Sequence, residues 1–239
     1  MEILLILIQV IILDGILSID NAAVLGAIAS KLPQKALTPR ALRWFGKYQQ
    51  EAALKVGLLG AYLGRGAMIA LAGFIIQIPI FQLIGAGYLM YLSLKYFWDM
   101  YRESEEGGSS RFEKNVGTFW KTVLVIELAD LAFSLDNVLA VVALSSHILI
   151  VILGVFISII IMRFAAGIFI KLIQIEPLLQ HAAFVLILAI AIEMILKFFK
   201  FDISEVLQFS ISMGILTAFV VYGQLQRLVK KGGYRHEQS

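Results

Sequence analysis

Long apolar runs recur along the chain, and polar residues gather in short clusters between them. A run of about 20 apolar residues carries an α-helix across the roughly 30 Å hydrocarbon core of a bilayer. Seven runs are predicted as spans: residues 3–29, 52–76, 80–98, 119–144, 148–170, 178–199 and 206–228. Pro79 and Pro177 stand between adjacent runs, where a helix ends without losing an interior hydrogen bond. Ser145, Ser146 and His147 form a short turn, and residues 103–110 read as an exposed, flexible loop. The first run lacks a basic leader and exceeds a signal-peptide core, so it is expected to be retained. The predicted fold is therefore all-α: a polytopic membrane protein with seven transmembrane helices. It forms a single domain over residues 1–229, followed by a tail at 230–239.

Composition agrees. Of 239 residues, 60% are hydrophobic and 15% charged. A soluble domain has roughly 45–50% apolar and about 25% charged residues, so a soluble enzyme and a disordered chain are both excluded. The absence of cysteine removes disulfides, thiolate zinc sites and thiol nucleophiles. The net charge of +3 carries information through its distribution. Sixteen of the 20 Lys and Arg residues fall on the side reached by the 1–2, 3–4 and 5–6 connections and the C-terminus; only Lys197 and Lys200 fall on the other. Because cytoplasmic loops retain positive charge, the N-terminus is expected outside and the C-terminus in the cytoplasm.

The chain also repeats itself. Asp14-Gly-Ile-Leu-Ser18-Ile-Asp20-Asn21 matches Asp130-Leu-Ala-Phe-Ser134-Leu-Asp136-Asn137. Arg65 precedes Pro79 by 14 residues, as Arg163 precedes Pro177. The difference in offset is absorbed by the basic loop at 31–51. Repeat one covers residues 3–98, repeat two covers 119–199, and the seventh helix stands apart. Each unit has three spans, an odd number, so the second must lie inverted in the membrane. Inverted repeats are a signature of secondary transporters, with the substrate near the midplane.

Ionisable groups within a bilayer are costly and usually functional. Span 1 carries Asp14 and Asp20; span 4 carries Glu127, Asp130 and Asp136; spans 2 and 5 carry Arg65 and Arg163. Glu193 lies near the outer end of span 6. Five acids against two arginines call for protons or a bound cation. At about 100° per residue, Glu127, Asp130, Ser134 and Asn137 share a stripe, while Asp136 points elsewhere; Asp20 likewise diverges from Asp14. One continuous helix cannot aim both aspartates at one small ligand. Two alternatives follow: the helices loosen around Ser18 and Ser134, or they stay intact and Asp20 and Asp136 pair with Arg65 and Arg163. Carboxylate, amide and hydroxyl oxygens are hard ligands that suit Mg²⁺, Ca²⁺ or Mn²⁺. His147, His181 and His236 read as solvated or interfacial, and Gly57, Gly60 and Gly64 as packing positions.

At these motifs, above all Glu127-Leu-Ala-Asp130-Leu-Ala-Phe133-Ser134-Leu-Asp136-Asn137, the chain resembles the TerC (tellurium-resistance) family of bacterial integral membrane proteins. The resemblance covers about residues 3–228. It implies seven helices and export of manganese, with Asp14, Asp20, Asn21, Glu127, Asp130, Asp136 and Asn137 as metal ligands. The expected function is a secondary transporter moving a divalent cation, first of all Mn²⁺, out of the cytoplasm by alternating access, with proton exchange as the coupling. The alternative is a membrane-embedded assembly partner for other membrane proteins. The partners expected are the metal ion and the bilayer, with no nucleic acid. No enzymatic activity and no resident cofactor are expected, and the location is the bacterial inner membrane.

Overall fold

A computed structural model describes residues 19–34, 45–75, 77–105, 116–143, 148–201 and 203–236. Regular structure among them is helical: α1 (Ile19–Ser30), α2 (Gln49–Ala70), the single turn α3 (Ala72–Ile75), α4 (Ile80–Glu105), α5 (Val116–Ala143), α6 (Ile148–Ile175), α7 (Leu178–Phe198) and α8 (Glu205–His236). Six predicted spans coincide with α2 and α4 to α8. Of the first, only the part forming α1 lies within the described residues. Among the described residues, four helices are long and apolar enough to cross a membrane: Gln49–Ala70, Leu149–Ile175, Leu178–Phe198 and Val206–Arg227.

The prolines act as their positions predict. Pro79 directly precedes α4, and Pro177 caps α7 with helical backbone angles. Neither interrupts a helix, because a residue without an N–H is tolerated at the first turn. Helix α7 ends differently. Lys200 adopts φ 63°, and the N–H groups of Lys200 and Phe201 close back on Lys197 O and Leu196 O. That left-handed cap usually falls to glycine.

The surface shows what solvent this fold expects. Along α6, Leu149, Leu153, Ile157, Ile160, Phe164, Ile168, Leu172 and Ile175 are exposed. They recur every three or four residues, a single apolar stripe about 40 Å long at 1.5 Å per residue. Water would penalise such a stripe; hydrocarbon does not.

Inside, the contacts are made by small residues. Ala22, Ala23, Ala27, Ala53, Ala86, Ala129, Ala166 and Ala182 are inaccessible or nearly so. Small side chains let helix axes approach closely where dispersion, not water expulsion, drives association. The main packing partners are α1 with α6, α2 with α5, and α4 with α7. Contacts also join α2 to α6, α4 to α5, α1 to α7, α1 to α5, and α7 to α8. Ser93 ties α4 to α7 by donating to Phe184 O at 2.7 Å, and Tyr96 stacks on Phe184 at 3.8 Å. Gln50 at the start of α2 donates to Ser30 O and Leu32 O, which secures the end of α1.

Where α1 crosses α6, Gly26 leaves no room for a side chain. A β-carbon there would lie 2.8 Å from both Ala166 O and Phe169 Cβ. Gly167, by contrast, has nothing within 4 Å of the corresponding position. Gly26→Val is expected to destabilise the protein by about 1–3 kcal/mol through overpacking. Gly167→Ala should be neutral or stabilising by up to about 1 kcal/mol through helix propensity. Thermal unfolding of the two variants in detergent tests this contrast, and equal effects would refute it.

Candidate functional site

The polar interior is built where α2, α5 and α6 meet. On α2, Gly57, Gly60 and Gly64 face α5. A β-carbon at Gly57 or Gly60 would collide with the Glu127 carboxylate, and one at Gly64 with Leu131. Gly57 and Gly60 therefore do more than allow close packing: they make room for a carboxylate between two helices.

Arg65 rises from the same helix and is 1% exposed. Its Nη2 donates to Asp130 Oδ1 at 2.8 Å. Arg163, on α6, reaches the same carboxylate from the other side: its Nη2 donates to Asp130 Oδ2 at 2.9 Å, to Glu127 Oε1 at 3.0 Å and to Gly57 O at 3.3 Å. Asp130 is thus bridged between two guanidiniums, one per oxygen, and Glu127 shares the second. Among the described residues, two acids and two arginines meet in this network. Glu127 Oε2 and the Nε and Nη1 of Arg163 are buried without a hydrogen-bond partner among the described residues. Charge-assisted bonds of this kind are strong, and breaking one leaves an uncompensated buried ion.

The stripe predicted for the fourth span agrees in part: Glu127 and Asp130 face the same arginine. Helix α5 runs unbroken through Ser134, whose hydroxyl donates to Asp130 O at 2.7 Å. The loosened-helix alternative is therefore wrong at Ser134, and Ser18 lies outside the described residues. The intact-helix alternative is corrected for Asp20, which forms no ion pair with either arginine among the described residues. Both arginines reach Asp130, which shares its stripe with Glu127 and faces both arginine-bearing helices. The Asp136 half of that alternative lies outside the described side chains.

Asp20 occupies a different setting. It is 6% exposed. The Asn21 N–H donates to its Oδ1 at 2.9 Å, and the Ser212 hydroxyl of α8 donates to its Oδ2 at 3.2 Å. Both donors are neutral, and no lysine or arginine forms an ion pair with Asp20 among the described residues. Glu193 of α7 acts on Asp20 electrostatically and is itself paired with Lys197 at 2.8 Å. Asn21 is buried at 4%. Asp14 lies outside the described residues, as do the side chains of Asp136 and Asn137, although α5 carries the latter two. Among the described residues, no three His, Asp or Glu groups stand close enough to hold a metal.

Sequence reasoning missed Ser212. It belongs to the seventh helix, outside the repeat that singled out the other polar residues. Its only signal is a serine within an apolar run, which Ser210 shares.

Asp130→Asn should destabilise the protein by about 3–5 kcal/mol, because both guanidiniums lose a shared anion. Combined with Arg65→Gln, the loss should be smaller than the sum of the single effects. Thermal unfolding of the two single variants and the double variant measures this, and strict additivity would contradict the coupling.

Comparison with known proteins places this geometry in a family. Residues 1–232 match the family described as "Integral membrane protein TerC family". The chain is 36% identical over 216 residues to the uncharacterized membrane protein YceF of Bacillus subtilis, covering 89% of this chain and 78% of that protein. It is 33% identical to the uncharacterized membrane protein YkoY of the same organism, covering 76% of this chain and 56% of the relative. It is 28% identical to the inner membrane protein YgdQ of Escherichia coli, covering 81% of each. No solved structure matches. The chain, a multi-pass integral membrane protein with bacterial inner-membrane relatives, belongs to the TerC family.

Proposed function

We propose that this protein is a secondary transporter that exports a divalent metal cation, first of all Mn²⁺, by alternating access between two inverted three-helix units. The observation that carries the reading is the division of buried charge. Asp130 and Glu127 are paired with Arg65 and Arg163, whereas among the described residues the Asp20 carboxylate is held by neutral donors. A carboxylate in that setting is stabilised by a bound cation or by a proton. Carboxylate, amide and hydroxyl oxygens are the donor set of a hard divalent ion.

Asp14, Asp20, Asn21, Asp136 and Asn137 form the metal site in this reading. Glu127 and Asp130 belong with them in the acidic interior, and in this conformation they hold the arginines. Exchange for protons follows from the same chemistry: a carboxylate that releases its metal in a low dielectric takes up a proton.

Helix packing supports the inverted arrangement. Exchanging α1, α2 and α4 with α5, α6 and α7 turns the α1–α6 contact into α5–α2, and the α4–α5 contact into α7–α1. The α2–α6, α1–α5 and α4–α7 contacts map onto themselves. All of these contacts occur. With seven spans and the excess of Lys and Arg facing the cytoplasm, the N-terminus lies outside.

The test is ion flux in proteoliposomes with Mn²⁺, Ca²⁺ and Mg²⁺, with and without a pH gradient. Wild-type protein is expected to move Mn²⁺ faster than protein-free vesicles, and an opposing proton gradient should accelerate it. Asp20→Asn should lower that flux at least about tenfold while preserving the folded protein, a size set by the loss of a charged ligand. Flux indistinguishable from protein-free vesicles for all three ions would overturn the proposal.

A further inference from the structure

Helix α8 touches the rest of the protein along one narrow seam. Its buried positions among the described residues are Ser212, Leu216 and Gly223, four and then seven residues apart on one face, while Val206, Phe209, Ile211, Val221 and Leu225 are exposed. The inner end of the seam is fastened to the turn after α6. Arg227 donates to Ile175 O at 2.6 Å and pairs with Glu176 at 3.0 Å. The Glu176 carboxyl packs against Gly223, where a β-carbon would lie 2.7 Å away.

The other end of the seam is Ser212, and it behaves unlike Ser210 on the same helix and Ser134 on α5. A serine in an apolar helix ordinarily satisfies its hydroxyl on the carbonyl four residues back. Ser210 does so with Val206 O at 2.7 Å, and Ser134 does so with Asp130 O at 2.7 Å. Ser212 gives its proton to Asp20 Oδ2 on another helix. The opposite oxygen is held by the Asn21 N–H. A carboxylate offers about four lone-pair sites. With one site on each oxygen occupied by a donor, the plane of the group is fixed and the remaining lone pairs have a set direction.

We propose that Ser212 is a positioning residue for Asp20. The helix outside the two repeats thereby completes the site, orienting the carboxylate for the cation. This rests on the reading of Asp20 as a cation ligand. Anchoring α8 is a separate job, done by Arg227 and Glu176 at the far end of the seam. Loss of the Ser212 hydroxyl therefore leaves α8 attached while freeing the carboxylate to rotate.

Two measurements on the full-length protein test the proposal. In Mn²⁺ flux assays, Ser212→Ala should raise KM about tenfold with the maximal rate kept within about twofold, the size expected for one hydrogen bond to a charged group. Ser212→Thr should restore KM, because it keeps the hydroxyl. Arg227→Gln should lower thermal stability and leave KM unchanged. In infrared spectra of protein carrying ¹³C-labelled aspartate, Ser212→Ala should shift a carboxylate band, and the shift should vanish in an Asp20→Asn background. A shifted band in a protein that moves no divalent ion would uphold the positioning role and remove the proposed function. An unshifted band, or unchanged KM in an active Ser212→Ala protein, would overturn the role of Ser212 and leave the proposed function standing.

Discussion

Both oxygens of Asp130 are claimed by arginines from different helices, and the interior is organised around that bridge. Arg65 brings α2, Arg163 brings α6, and the aspartate comes from α5. A lone ionised group here would cost several kcal/mol, so none of the three helices can shift far alone. The glycines on α2 serve the same constraint. Without them the Glu127 carboxylate could not lie between the helices, and Arg163 would lose its second acid. Close packing and charge compensation are one feature of the structure.

The consequence for function is an uneven interior. Arg65 and Arg163 are counterparts in the repeat, yet both reach the same aspartate. Among the described residues, this leaves Asp20 with an amide N–H and a hydroxyl as its partners. A buried carboxylate without a guanidinium is the group on which a cation gains most. In the proposed function the arginine network is a scaffold, and Asp20 is the carboxylate that would meet the ion.

Much of the architecture was legible in the chain. Hydrophobic runs located the helices because a bilayer demands unbroken apolar length, and Pro79 and Pro177 marked two starts correctly. The acidic motifs and the paired arginines were found because charged residues are conspicuous in apolar segments. The pairing scheme was not legible. Counting charges predicts a surplus, but which acid meets which arginine depends on how helix faces turn toward one another. Asp130 took both arginines because it shares a face with Glu127 opposite α2 and α6. Ser212 could not be singled out, since a single serine on an apolar helix looks like Ser210 until a carboxylate is seen beside it. The continuity of α5 through Ser134 was likewise undecided by sequence, because a hydroxyl that bonds its own helix and one that frees the backbone read the same.

The most direct test of the central claim is equilibrium binding of Mn²⁺ to the purified protein, read from the loss of the six-line electron paramagnetic resonance signal of the free ion. The account predicts that wild-type protein depletes the free signal in a saturable way. It predicts that Asp20→Asn weakens binding at least about tenfold, as loss of a charged oxygen ligand should. Binding to the Asp20→Asn protein as tight as to the wild type would contradict it.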